Sequence, residues 1–285
     1  MRQSRAISDE IEQIGTVDML AQTFKGISSF HIARLKDQVL QSKEFFADLW
    51  TIYTQLRRNP EDRSAQDIKY PNRTAFVVVT AEGGLSGDID KKLVDWVLGK
   101  YDPNKHDIIV LGHHGVLQLA QAGVEIKKYY KLPDKDVTKI DPGPIIDDVS
   151  QYGDAIAFYQ TYVTLGVQDI KSIDLFEAVQ NLGEEAEIKS QRITRENYIF
   201  EPTFNEVISY MESIMMGVAL SQIILESKLA QYASRFNAMS AAHDKAEEIN
   251  SDLHMSLMRA KRSEDDERTR EVINGMQSGG RAWSV

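Results

Sequence analysis

The 285-residue chain has no cysteine, which excludes a disulfide framework, a thiol nucleophile, an iron–sulfur cluster and cysteine-ligated zinc. Proline is scarce and confined to Pro60, Pro71, Pro103, Pro133, Pro142, Pro144 and Pro202, so the first 59 and last 83 residues contain none. Eleven of the 17 glycines share that middle stretch. A proline inside a helix removes a hydrogen bond and clashes with the preceding turn, costing about 3 kcal/mol. The two ends are therefore free to form long helices, and the turns belong to the middle. No uninterrupted apolar run reaches the roughly 18 residues that suggest a bilayer span. The start, with Arg2, Arg5, Asp9 and Glu10 among isoleucines, lacks the continuous apolar region of a secretory signal. With 33 basic against 43 acidic side chains the net charge is −10, a poor basis for nucleic-acid binding, which demands a basic face. These absences predict a soluble, cytoplasmic protein that reaches a membrane only through partners.

In the last arm, alternating steps of four and three from Phe204 visit Ile208, Met211, Met215, Val218, Gln222, Leu225, Leu229, Tyr232, Phe236, Met239, His243, Ala246, Asn250, Leu253, Leu257 and Ala260. Fourteen of the 17 positions are apolar. A seven-residue repeat held for so long is a coiled-coil signature, because apolar residues every 3.5 positions form a seam that a supercoil keeps facing its partner. Gln222, His243 and Asn250 interrupt it. A seam histidine can be a ligand, a pH sensor or a polar register marker, and with no second metal ligand expected one turn away the register marker is the reading adopted. Around Ala260 the seam gives way to Arg259, Lys261 and Arg262, then Glu264, Asp265, Asp266 and Glu267. Such a run is a solvated helix face or a surface that meets a charged partner collar without adhering to it.

The first arm repeats the pattern through Ile7, Ile11, Ile14, Val17, Leu20, Phe24 and Ile27, then, after a slip, through Ile32, Leu35, Val39, Ser42, Phe46, Leu49, Tyr53 and Leu56, with Gly15 and Gly26 as soft points. At 1.5 Å per residue, residues 5–58 run about 80 Å and 203–276 about 110 Å. Helices of that length do not pack inside a domain of this mass, and the expectation is an antiparallel pair forming a rod with a head.

The middle reads as strands alternating with helices: strand Ala75–Thr80, helix 88–101, strand Asp107–Leu111, a short helix through Ala122, strand Val124–Tyr129, helix 149–165, strand Ser172–Val179, and an edge at Arg192–Phe200. That alternation implies a mostly parallel, three-layer sheet. The turn Gly83-Gly84-Leu85-Ser86-Gly87 follows the first strand, where phosphate-binding folds place their anion. It matches neither G-x-G-x-x-G nor G-x-x-x-x-G-K-[ST], and Glu82 stands beside it, so it is read as a tight turn with no cofactor. His113-His114 is read as a loop pair, without metal-site spacing. Ser86 lacks the G-x-S-x-G context of a hydrolase nucleophile. No catalytic, cofactor or metal site is expected.

Three stretches resemble the gamma subunit of F-type ATP synthases. Glu226-Ser227, Ala233, Arg235, Ala238-Met239, Ala242 and Ala246 stand where that family has LLES…A-x-R-x-x-AM-x-x-A-x-x-x-A. FVVVTAEGGLSGDID (Phe76–Asp90) is similar to its strand and S-D-R-G-L-C-G-x-x-N turn, and DIIVLGHHGVLQL (Asp107–Leu119) to its next strand and I-G-x-K-G turn. The resemblance implies an α/β fold: a long antiparallel two-helix coiled coil made by residues 1–60 and 202–285, with an inserted Rossmann-like domain at 70–200. It implies a central rotary shaft without an active site, partnered by ring subunits alpha and beta, by epsilon and by the membrane c-ring, on the cytoplasmic face of the membrane. Arg34, Lys36, Arg235, Met239, Arg259, Lys261, Arg262 and Asp266 become the ring-facing candidates, and Gly83, Gly84 and Gly87 the rotor-side turn. Departures concentrate where the shaft meets the ring. The family's Y-N-K-x-R-Q-A-x-I-T-x-E is here Leu257–Arg268, and its K-I-T-x-A-M is Met19–Phe24. Two further readings of the arms and head are a coiled-coil adaptor and a small α/β enzyme with helical arms.

Overall fold

The computed structural model describes residues 2–56, 73–133, 141–175, 177–179, 201 and 203–280. The edge strand expected at Arg192–Phe200 and the last proline, Pro202, lie outside the described residues. Each breaker-free end is one helix, and the order is α1 (Arg2–Leu56), β1 (Thr74–Val79), α2 (Ile89–Lys100), β2 (His106–Leu111), α3 (His113–Gln121), β3 (Ile126–Tyr130), α4 (Gly143–Val149), β4 (Asp154–Tyr162), β5 (Gln168–Asp174) and α5 (Phe204–Gly280). The chain divides into two compact units: Ser28–Asn237, and Met1–Ile27 together with Ala238–Val285.

In the unit Ser28–Asn237 the sheet order is β3-β2-β1-β4-β5. β1 pairs in parallel with β2 and β4, β2 with β3, and only β4 and β5 run antiparallel. Alternate side chains of each strand serve two cores. Phe76, Val78, Ile108 and Val110 pack with Leu93, Val94 and Val97 of α2 and Leu119 of α3. Ala75, Val77, Val79, Ile109 and Leu111 pack with Ile145, Ile146 and Val149 of α4, Phe46 and Tyr53 of α1, and Met215, Ala219, Leu220 and Ile224 of α5. Crossover connections keep one hand, so strands added on one side of β1 carry α2 and α3 on one face, and β4, added on its other side, follows α4 on the opposite face. The strand order therefore reverses beside β1.

Three elements depart from the sequence reading. The segment expected as a helix at 149–165 is the strand β4, which lies between β1 and β5 with Ala155, Ala157, Phe158, Gln160 and Thr161 buried. A strand covered on both faces loses the polar alternation that would distinguish it from a helix. The strand expected at Ser172–Val179 runs Gln168–Asp174 instead. Helix α4 was hidden in Asp141-Pro142-Gly143-Pro144, which looks like a loop, although proline suits a first helical turn.

In the unit of Met1–Ile27 and Ala238–Val285, burial follows a 3.5-residue period. On α5, Met239, His243, Ala246, Asn250, Leu253, Leu257 and Ala260 are all at least half-buried, as the heptad walk expects. On α1 the inward positions are Ser4, Ile7, Ile11, Ile14, Asp18, Ala21 and the Phe24-Lys25 pair. Those steps alternate three and four without a slip. Val17, Leu20 and Ile27, read as seam residues, are 50%, 53% and 43% exposed. Packing geometry, not apolarity, sets the phase: Asp18 takes the inward position because His243 of α5 is there to meet its carboxylate. Glu247, one turn after His243, has Oε1 3.9 Å from its Nε2, so a carboxylate does stand one turn away. Among the described residues no group of three His, Asp or Glu side chains could hold a metal.

Helix α5 contains an 18-residue window of mean hydropathy 1.5, long and apolar enough to cross a membrane, and half of that window is buried. Met215, Ala219, Leu220, Ile223 and Ile224 face the sheet, which accounts for its apolarity as that of a core helix.

Candidate functional site at the glycine turn

The site lies in the unit Ser28–Asn237, at the carboxyl ends of β1 and β4, beside the point where strand order reverses. In doubly wound sheets that crevice takes the ligand. Here the chain's own last helix fills it. Asp90, in the first turn of α2, is 1% exposed. Its Oδ1 accepts the Ala81 N–H at 3.3 Å and the Gln160 amide at 2.7 Å, and its Oδ2 lies 2.7 Å from His114 Nδ1. A buried carboxylate is tolerated only when paired and hydrogen-bonded, and these contacts meet that demand. Gln160 of β4 then turns its carbonyl to α5, accepting the Ser227 hydroxyl at 2.5 Å and the Gln231 amide at 3.2 Å. Next to it the Thr161 hydroxyl donates to Glu226 at 3.0 Å. The hydrogen bond from Asp90 holds the His114 pKa above its ordinary value, against the opposing effect of burial.

The turn itself is fastened to the same helix. Leu85 has φ 67° and Gly87 φ 66°, and a left-handed non-glycine residue costs about 1–3 kcal/mol and persists only where its surroundings impose it. The imposing groups are on α5. The Ser234 hydroxyl donates to Ser86 O at 2.7 Å, and the Arg235 guanidinium to Gly84 O at 3.1 Å and Gly83 O at 3.4 Å. Ala81, Glu82, Lys228, Gln231, Tyr232 and Arg235 leave between them a cavity of about 10 Å3, which is about one water's room. On the far side Glu82 accepts the N–H groups of His113 and Leu132, each at 3.2 Å, and the Tyr129 hydroxyl at 3.2 Å. Lys228 donates to Pro133 O.

The two histidines are not a loop pair. Both sit in the first turn of α3, after Gly112 with φ 94°, and they diverge, His113 towards the Tyr129 ring and His114 onto Asp90. Ser86 is buried, and its hydroxyl has no hydrogen-bond partner among the described residues. Of the ring-facing candidates, Arg235 has its guanidinium on the turn of its own unit. Lys36 lies over the Tyr162 ring at 5.2 Å, and Arg34 is exposed. In the other unit Met239 is half-buried, while Arg259, Lys261, Arg262 and Asp266 are exposed. Sequence reasoning missed Asp90, Gln160, Thr161 and Gln231. Its available signal was the spacing of Ser227, Gln231 and Ser234, a polar stripe at four and three residues beside an apolar seam.

Comparison with known proteins agrees with this architecture. A family model described as ATP synthase matches residues 3–278. The ATP synthase gamma chain of Lachnoclostridium phytofermentans is 25% identical over 308 residues, covering 96% of this chain and 98% of the relative. That of Staphylococcus haemolyticus is 23% identical over 292 residues, with the same coverage of each. Among solved structures, a chain of the Euglena gracilis mitochondrial ATP synthase shares the fold with TM-score 0.69 at 14% identity, covering 99% of this chain and 96% of that one. A chain of the Tetrahymena thermophila central stalk and c-ring structure does so with TM-score 0.59 at 17% identity, covering 78% of this chain and 99% of that one. With nearly its whole length matched, the chain belongs to the ATP synthase family, as a gamma-chain member.

Proposed function

We propose that this chain is the central rotary shaft of a membrane F-type ATP synthase, coupling ion-driven rotation of the membrane rotor to conformational cycling of the alpha and beta ring. The observation that carries the reading is the unit built from both ends of the chain, Met1–Ile27 with Ala238–Val285. Its inward positions keep one phase, Ile7, Ile11, Ile14 and Ala21 on α1 and Met239, Ala246, Leu253 and Leu257 on α5, and Ser4–Glu264 and Asp18–His243 join the two helices. A shaft that turns inside a ring needs a packed interior and a charged outer face that does not adhere. Arg259, Lys261, Arg262 and Asp266 supply such a face, and with Arg34, Lys36 and Met239 they are the proposed ring contacts. The ring subunits bind the nucleotide, and the shaft biases each between its states through differential contact. The turn Gly83, Gly84 and Gly87 is the proposed rotor-side contact, with the c-ring and epsilon as partners on the cytoplasmic face of the membrane. The chain contributes no catalytic group. Mixing it with the alpha and beta chains of its own genome tests the reading. A stable assembly that hydrolyses ATP supports it, and a chain that stays alone with every candidate pair overturns it.

A further inference from the structure

We propose that residues 16–27 of α1 have two rotational settings against α5, and that His243 selects the observed one by pairing with Asp18. The segment lies wholly in the unit of Met1–Ile27 and Ala238–Val285. It carries two stripes. The stripe in use runs through Ile7, Ile11, Ile14, Asp18, Ala21 and the Phe24-Lys25 pair, all at least half-buried. The other shares Ile7, Ile11, Ile14 and Phe24 but passes through Val17, Leu20 and Ile27, which are 50%, 53% and 43% exposed. Val17 and Leu20 each stand one residue before an inward neighbour, and adjacent residues of a helix lie about 100° apart. A turn of the segment about its own axis therefore exchanges the stripes while Ile14 and Phe24 stay in the seam. A coiled coil absorbs such a change as a local three-residue overwinding.

Apolar burial favours the stripe that is not in use, because it would put a valine and a leucine where the observed setting puts a carboxylate and one methyl group. Two things oppose it. The observed steps alternate three and four without overwinding, and the carboxylate has partners. Asp18 Oδ1 pairs with His243 Nδ1, and the Gln22 amide donates to Asp18 Oδ2 at 3.1 Å. Glu247 Oε1 lies 3.9 Å from His243 Nε2. The His243 and Asp18 side chains are 19% and 26% exposed, and an inward carboxylate is tolerated only while it is paired. Without the imidazole the balance turns to Val17, Leu20 and Ile27. Glycines bracket the segment. A Cβ on Gly15 or Gly26 would meet nothing within 4 Å, so close packing requires neither. Glycine weakens a helix more than any residue but proline, and its backbone freedom lets the winding change at those two points. Two packings of one sequence separated by a small free energy make a switch. Its outer surface is apolar at Val17, Leu20 and Ile27 as observed, and carries Asp18 in the other setting.

The full-length chain has no cysteine, so Val17→Cys and Ala21→Cys each install a single reporting thiol. Their reaction with an uncharged maleimide is followed at one fixed pH, because the thiolate fraction sets the rate. Each rate is divided by that of the same chain in denaturant. With His243 in place the thiol at position 17 reacts roughly tenfold faster than that at position 21, following exposures of 50% and 3%. Adding His243→Leu reverses the order. Adding Asp18→Val to His243→Leu removes the unpaired carboxylate and returns the original order, which separates a change of setting from general loosening. The proposal is overturned if His243→Leu leaves position 17 the faster, or if the two thiols become equally reactive, since the second stripe then does not hold the helices. A double variant that stays reversed overturns it too. No alpha or beta chain takes part, so failure here leaves the shaft reading standing, and failure to assemble with those chains leaves this result untouched.

Discussion

The Ser227 hydroxyl donates to the Gln160 carbonyl at 2.5 Å, and both side chains are completely buried. This contact joins the last helix to a central strand through polar groups in a place that apolar packing would have filled without fixing an orientation. Ser227→Ala is expected to lower unfolding free energy by about 1–2 kcal/mol, the usual net loss for a satisfied hydrogen bond. Gln160→Leu is expected to cost more, about 3 kcal/mol, because it strips partners from Asp90, Ser227 and Gln231 at once. Urea unfolding of the purified chain distinguishes the two, and equal losses would show that the network is not connected as described.

The Asp90–His114 pair predicts a pH dependence of stability. Because the folded state raises the His114 pKa above 6.5, the pair's contribution is fully present below pH 6.5 and is lost as pH rises through the folded value. Thermal midpoints recorded from pH 6 upward should fall on the alkaline side, and His114→Gln should flatten that fall. His114→Gln should also cost about 2 kcal/mol at pH 6, less than the roughly 3–5 kcal/mol for breaking a buried ion pair outright, because the His114 side chain is 29% exposed and Asp90 keeps the Ala81 N–H and the Gln160 amide. An unchanged alkaline slope in the variant would refute the assignment.

On the seam, Asp18 and His243 follow the same sign: the Asp18 hydrogen bond raises the His243 pKa, so rising pH weakens the pair. Asp18→Val and His243→Leu should each destabilise the two-helix unit, while the double variant recovers most of the loss by completing the apolar seam. Helix melting of the three variants tests this, and additive losses in the double variant would mean that the two side chains do not act on one another.

Glycines divide by their surroundings. A Cβ on Gly112 would come 2.2 Å from Thr80 O, at φ 94°, and one on Gly115 would come 2.5 Å from Thr80 Oγ1. Alanine at either position should cost about 2–4 kcal/mol. Gly15 and Gly26 of α1 have nothing within 4 Å of that position, so alanine there should stabilise the helix by about 0.5–1 kcal/mol each. Thermal melts that rank these four variants otherwise would contradict the local geometry.

Much of the architecture was legible because it rests on local regularities. The run Ala75–Thr80 and the heptads of α5 announce a buried strand and a long seam. What escaped was set by distant partners. β4 looked helical because both of its faces are covered, and the phase of α1 looked slipped because Asp18 and Ser28, polar residues, take seam positions beside exposed Val17 and Ile27. The site divided the same way. The glycine turn could be found from its composition, but Asp90 and Gln160 could not, since Gln160 meets Asp90 across 70 residues and Gln231 across 71. His114 was visible as a motif, but its role depends on a carboxylate 24 residues earlier.

The Ser4 hydroxyl donates to Glu264 across 260 positions of chain, at 2.9 Å. During synthesis, at roughly 5–20 residues per second, the first helix therefore leaves the ribosome about 10–50 seconds before its seam partner exists. Throughout that interval Ile7, Ile11 and Ile14 have no intrachain surface to cover them, and non-local contacts of this kind form last. The order of manufacture thus leaves the apolar stripe of the amino-terminal helix uncovered by its seam partner until residues 238–264 of α5 have been made.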